Sequence, residues 1–158
     1  MSKKNLTKTK AFVLAFQNHQ KNKLKIAENL YKKVLKTNPN HFESIFLLGT
    51  LSIQTKNFDR AIQLLNKAIQ IQPNYANSYH NLGLLFVKLE EFQKAMNYCK
   101  KAIHIQPNHV EAHNNLGNIM KELKEFSKAK NCYQQAIHIQ PNYVKAHNNL
   151  GNIMKELG

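Results

Sequence analysis

The chain is poor in the residues that carry most recognisable chemistry. Only two of its 158 residues are cysteine, Cys99 and Cys132, and they lack paired spacing. They indicate no disulfide framework, and together with the absence of a signal peptide they point to a reducing, cytoplasmic compartment. Acidic residues number nine against 23 basic ones, and Arg60 is the single arginine. So little arginine argues against specific base or phosphate reading, which favours the planar guanidinium fork. Long apolar runs are missing as well. The stretch Ala11 to Phe16 is six residues, too short for a signal-peptide core or a bilayer span. There is no Gly-rich phosphate loop, serine elbow or metalloprotease histidine pair, and the chain is read as not an enzyme, with no catalytic residue and no cofactor.

What the chain does contain is lysine, asparagine and enough apolar surface for a sizeable core. An apolar content of 42% is too high for a disordered polybasic tail, and the length suits one ordinary domain. The formal charge is +14, yet ten lysines against Glu28 put +9 of it in residues 1–36, leaving +5 for the rest. A charge of this size draws nucleic acid, anionic membrane or acidic protein. A coding bias towards Lys and Asn, with 22 and 21 copies, accounts for it as well.

A fixed period organises the chain. Pro39, Pro73, Pro107 and Pro141 recur every 34 residues, as do Gly49, Gly83, Gly117 and Gly151, the alanines from Ala27 to Ala129, and the leucines from Leu48 to Leu150. Within the third unit Tyr79, Leu82, Gly83 and Phe86 share one helical face, and Ala95, Cys99, Ala102 and Ile103 share another. Glycine inside a helix costs about 1 kcal/mol relative to alanine, so its recurrence predicts close helix approach, with a small Ala opposite. Proline stops each second helix, and the following Asn is the predicted N-cap of the next one. His113 and His147 are expected to pack in the core, and Cys99 and Cys132 to serve as inward fillers.

These runs, of which YHNLGLLFVKLEEFQKAMNYCKKAIHIQPN (79–108) and HNNLGNIMKELKEFSKAKNCYQQAIHIQPN (113–142) are the clearest, resemble the tetratricopeptide repeat family. The resemblance implies an all-α fold, a right-handed α-solenoid of stacked antiparallel helix pairs with about nine helices. It implies a basic N-terminal tail at 1–7 and repeats at 8–41, 42–75, 76–109 and 110–143, followed by a lone first helix at 144–157. Repeat one is degenerate, with Ala15 in the glycine place. The stretch 25–69 is similar to the N-terminal arrays of bacterial multidomain proteins of the O-GlcNAc-transferase-like or sulfotransferase-linked kind.

In this family the first helices line the concave face, which implies a peptide-binding groove. Its residues here are Phe46, Thr50, Asn77, His80, Asn81, Leu84, Lys88, Asn114, Asn115, Asn118, Lys121, Asn148, Asn149 and Asn152. Asn81, Asn115 and Asn149 form a ladder at the repeat step. An amide both donates and accepts, so such a row can hold the backbone of an extended peptide, or it can bond to neighbouring helices instead. The groove charges cancel, Lys88, Lys121, Lys145 and Lys155 against Glu43, Glu111, Glu122 and Glu156. A carboxylate clamp of the kind some relatives use is disfavoured, because Phe46 and His80 stand where its first Lys belongs and no Arg is at hand.

Of the eight histidines, His104 and His138 sit near the ends of second helices, His113 and His147 take a packing position, and His19, His41, His80 and His109 have no acidic or cysteine partner at ligand spacing, so no metal site is expected. Residues 144–157 copy 110–123 except that Lys145 replaces Glu111, so the last helix keeps a face made to receive another helix. That leads to two expectations, a chain cut from a longer array or self-association through 144–157. The expected function is a protein-protein interaction scaffold that takes a protein or peptide partner. The alternatives are a substrate-recruiting arm of a larger transferase and electrostatic binding of membrane or nucleic acid, the latter disfavoured by the repeat period.

Overall fold

The helices of this chain are punctuated by two kinds of turn, and both recur at the repeat step. The computed structural model describes the backbone of residues 3–157 and the side chains of residues 10–157. The described residues form nine α-helices and no strand. They are α1 (Lys3–Gln20), α2 (Leu24–Thr37), α3 (Phe42–Gln54), α4 (Phe58–Ile71), α5 (Ala76–Lys88), α6 (Phe92–Ile105), α7 (Val110–Glu122), α8 (Phe126–Ile139) and α9 (Val144–Leu157). Of the expected tail at 1–7, residues 3–7 are helical as the start of α1, and residues 1 and 2 lie outside the described residues.

Inside each helix pair the turn rests on one residue with left-handed backbone: Asn22 at φ 56°, and Lys56, Glu90 and Lys124 each at 59°. The residue after it donates back to a carbonyl five positions earlier, as in Asn57 N to Ser52 O at 2.8 Å and Glu125 N to Met120 O at 2.8 Å. This closure satisfies carbonyls that the helix end leaves orphaned. Between pairs the proline and asparagine occupy a hydrogen-bonded turn, with His109 N donating to Gln106 O at 3.0 Å and Tyr143 N to Gln140 O at 3.0 Å. The N-cap is therefore not the Asn that the pattern suggested but the residue after it. His41 and His109 accept from Ser44 N and Ala112 N at 3.2 and 3.3 Å through Nδ1. Asn108 is spent on the turn, where a short polar residue suits the second corner position.

The chain divides into two compact units, residues 1–73 and 74–158. In the first, Ala15, Ala27, Tyr31, Leu48 and Leu51 form a buried cluster flanked by Phe12, Leu24, Leu30, Leu35, Leu47 and Leu64. Glu28 of α2 accepts from Arg60 of α4 and pairs with Lys32 at 2.8 Å. These two partners hold its carboxyl below the usual carboxylate range. In the second unit α6 packs on α5 and on α7, and α8 packs on α7 and on α9, burying Leu82, Leu85, Cys99, Ile119, Tyr133 and Ile153.

The glycines allow this approach; at Gly83 the Ala95 carbonyl oxygen lies 3.4 Å from a Cβ position, as the small alanine predicts, but the nearest atoms belong to another residue. A Cβ on Gly83 would lie 2.8 Å from Cys99 Sγ, and one on Gly117 would lie 2.5 Å from the Tyr133 ring. Gly49 faces Leu65 in the same way at 3.1 Å. The opposing residue is thus four positions beyond the repeated alanine, and its size varies from Cys to Tyr. His113 and His147 are not core residues. Their Nε2 atoms lie 2.9 and 2.8 Å from the carbonyl oxygens of Pro107 and Pro141, so each ring donates to the turn before its helix.

Candidate functional site

The first helices of the second unit, α5, α7 and α9, border a cleft of about 410 Å³. It is lined by His80, Leu84, Glu111, Asn114, Asn115, Asn118, Tyr143, Lys145, Asn148 and Asn149. One wall is set by α5 and the start of α7. His109 Nδ1 accepts the capping bond from Ala112 N, which leaves Nε2 to carry the proton and donate to Asn77 Oδ1 at 2.8 Å. Asn77 in turn donates to the Tyr75 hydroxyl at 3.3 Å. The His80 ring stacks on His109 with centroids 4.9 Å apart. Burial, reinforced by the neighbouring His109, pushes His80 down to about 4, and burial also lowers His109 against the opposing pull of Glu111. Both rings are neutral at pH 7. The remaining charges on the cleft are Glu111 from α7 and Lys145 from α9.

The floor is an amide network. Asn149 Nδ2 donates to Asn114 Oδ1 and to Asn118 Oδ1, both at 3.0 Å, and the Tyr133 hydroxyl donates to Asn118 Oδ1 at 2.9 Å. Asn114 is buried at 4% exposure, while Asn115 and Asn149 are half-buried and Asn148 is exposed. Of the ladder residues, Asn149 bonds across to α7, Asn115 borders the cleft and Asn81 does not line it; Asn148, outside the ladder, borders the cleft as well. The Tyr133 phenol is raised to about 12, mainly by burial, so it stays a hydrogen-bond donor at all ordinary pH.

The other expected groove residues are distributed differently. Lys88, Lys121 and Asn152 are exposed and do not line this cleft, and Lys121 lies 3.7 Å from Glu122. Asn77 acts one layer back, behind His109, and Asn81 is half-buried on α5. Phe46 and Thr50 lie on α3 in the first unit, where Phe46 stacks on Phe42 and the Thr50 hydroxyl donates to Phe46 O at 3.0 Å. The pattern missed Tyr143, His109 and Tyr133 as parts of the site. Tyr133 gave little signal, because its counterparts at the repeat step are Tyr31, Leu65 and Cys99. Cys99 is buried and raised to about 12, but Cys132 is only half-buried and borders a second hollow with Met96, Met120 and Leu123. Among the described residues no group of three His, Cys, Asp or Glu side chains is placed to hold a metal ion. None of their helices is long and apolar enough to cross a membrane.

A family model described as TPR repeat matches residues 51–90 and 117–158. Models described as tetratricopeptide repeat match 76–109, and 30–63 with 98–131. Among solved structures, a crystal structure of MamA is similar at 27% identity and TM-score 0.80, covering 91% of this chain and 84% of that one. The Arabidopsis OM64 TPR domain aligns at 23% identity and TM-score 0.70, over 73% of this chain and 95% of that one. The first TPR of Spaghetti (RPAP3), bound to the HSP90 peptide SRMEEVD, aligns at 22% identity and TM-score 0.70, over 73% and 92%. No curated protein matches. The likenesses bear out the all-α solenoid of stacked helix pairs.

Proposed function

The chain belongs to the tetratricopeptide repeat family, and from that premise we propose that it is a non-catalytic scaffold holding a partner protein's extended segment in the α5–α7–α9 cleft. The observation that carries this reading is the amide lining. Asn115 and Asn148 supply side-chain donors and acceptors along open space, and the bonds from Tyr133 to Asn118 and from Asn149 to Asn114 brace the Asn118–Asn149 pair beneath them. Amides paired in this way recognise main-chain groups, which every peptide offers, so affinity would come from the backbone and selectivity from the walls. A structural neighbour of the same fold is solved with a bound peptide, which is consistent with a peptide partner.

The test uses a random-peptide display library panned on the chain. Enriched peptides should bind the parent chain in calorimetry and lose at least tenfold in affinity with N115A/N148A, whose helical signal stays unchanged. Peptides that bind the double variant as tightly as the parent reject the cleft as their site.

A further inference from the structure

Two of the helices that border the cleft, α7 and α9, carry one sequence almost unchanged. Residues 110–123 and 144–157 are identical except that Lys145 stands in the place of Glu111. That one difference falls on the cleft, which both side chains line, and it inverts a charge. Helix stability does not account for it. Each is the second residue of its helix, where the helix dipole favours an acid and opposes a base. Packing does not account for it either, since both residues are exposed. Neither charge is neutralised by an opposite one. Glu111 lies 3.3 Å from the His109 ring, which is neutral at pH 7, and Lys145 has no ion-pair partner among the described residues. The counterpart one repeat earlier, Asn77, is uncharged and accepts from His109. Across the cleft the repeated position therefore reads neutral on α5, acidic on α7 and basic on α9.

We infer that the cleft selects an extended segment carrying a basic and an acidic residue three positions apart, the base over Glu111 and the acid over Lys145. This selectivity rests on the α5–α7–α9 cleft being the peptide site. The spacing follows from two repeats. Neighbouring packed helices lie about 8–10 Å apart. A chain in the polyproline II form has three residues per turn and rises about 3.1 Å per residue, so residues three apart share a face at about 9 Å. That form makes no internal hydrogen bonds, which leaves its carbonyls and amides to Asn115 and Asn148. A segment with two acids or two bases would meet one attraction and one repulsion. The order of the two charges along the segment is set by its direction in the cleft.

The probes are peptides enriched on the whole chain from a twelve-residue random display library, then synthesised and titrated by fluorescence anisotropy at 50 mM salt. They should share a Lys or Arg three residues from an Asp or Glu, in one order. Exchanging the two charged residues within a peptide should weaken its binding about tenfold, the scale of two exposed ion pairs turned into two repulsions. The E111K/K145E chain should reverse the preference and bind the exchanged peptide more tightly. Peptides without such a pair, or an exchange that the parent chain tolerates or that E111K/K145E does not rescue, would overturn the inference, while the cleft reading stands as long as N115A/N148A still weakens binding. No enriched peptide, or peptides whose binding N115A/N148A leaves intact, would reject the cleft reading and the selectivity with it.

Discussion

At the scale of single residues, the same amino acid plays opposite parts according to what stands across from it. Gly117 is required because the Tyr133 ring occupies the space of a Cβ, whereas Gly151 bears the helical cost of glycine with no such neighbour. G117A should therefore lower stability by about 1–3 kcal/mol through overpacking, and G151A should raise it by up to about 1 kcal/mol through helix propensity. Urea denaturation of the two variants reads both signs. The histidines make a second residue-scale prediction. Folding holds His80 down to about 4, so the unfolded chain binds a proton that the folded chain refuses. Stability should be level above about pH 6.5 and decline as pH falls from there towards about 4. His109, lowered in the same direction, adds to the slope. Glu28, whose carboxyl is lowered, acts in a more acidic window below the ordinary carboxylate value. A His80→Gln variant should show a shallower decline of the urea midpoint between pH 7 and 5; an unchanged slope would place the titration elsewhere.

At the scale of elements, the turns carry information that the hydrophobic pattern does not. Left-handed backbone at Lys56, Glu90 and Lys124 is the conformation that glycine adopts most cheaply, yet none of these positions is glycine. Replacing Glu90 by Gly should stabilise the second unit by about 0.5–1 kcal/mol, the relief of left-handed strain less the added freedom of the unfolded chain. Thermal melting gives the sign, and a fall would mean that Glu90 makes a compensating interaction. The helix pairs themselves were legible, because the 34-residue step of Pro, Gly, Ala and Leu repeats a local geometry. The turn conformations were not, because Asn, Lys and Glu at those positions have no feature in common. The caps were misread for a related reason: Asn suits both an N-cap and a turn corner, and only the path of the backbone separates the two uses.

At the scale of the whole molecule, the large positive charge and the proposed site are distinct features. The cleft holds Glu111 and Lys145, which offset each other, while +9 of the formal +14 is concentrated in residues 1–36. Peptide affinity in the cleft should change by less than about threefold between 50 and 200 mM salt, because few counterions are displaced. Binding through the lysine-rich surfaces would fall by orders of magnitude over that range. Calorimetry at the two salt concentrations distinguishes these outcomes, and a steep loss would move the binding site to the basic surface.

By itself the sequence determined the period, the helical class, the family and the faces on which the amides of the first helices lie, because each depends on spacing along one chain. Tertiary structure alone decided which of those amides are spent and which line space. Asn149 reaches Asn114 and Asn118 across a helix boundary, and His109 withdraws Asn77 from the cleft surface. It also decided that two nearly identical helices differ in role: burial is a property of the neighbours, and the same residues that are core in α7 form an open surface in α9.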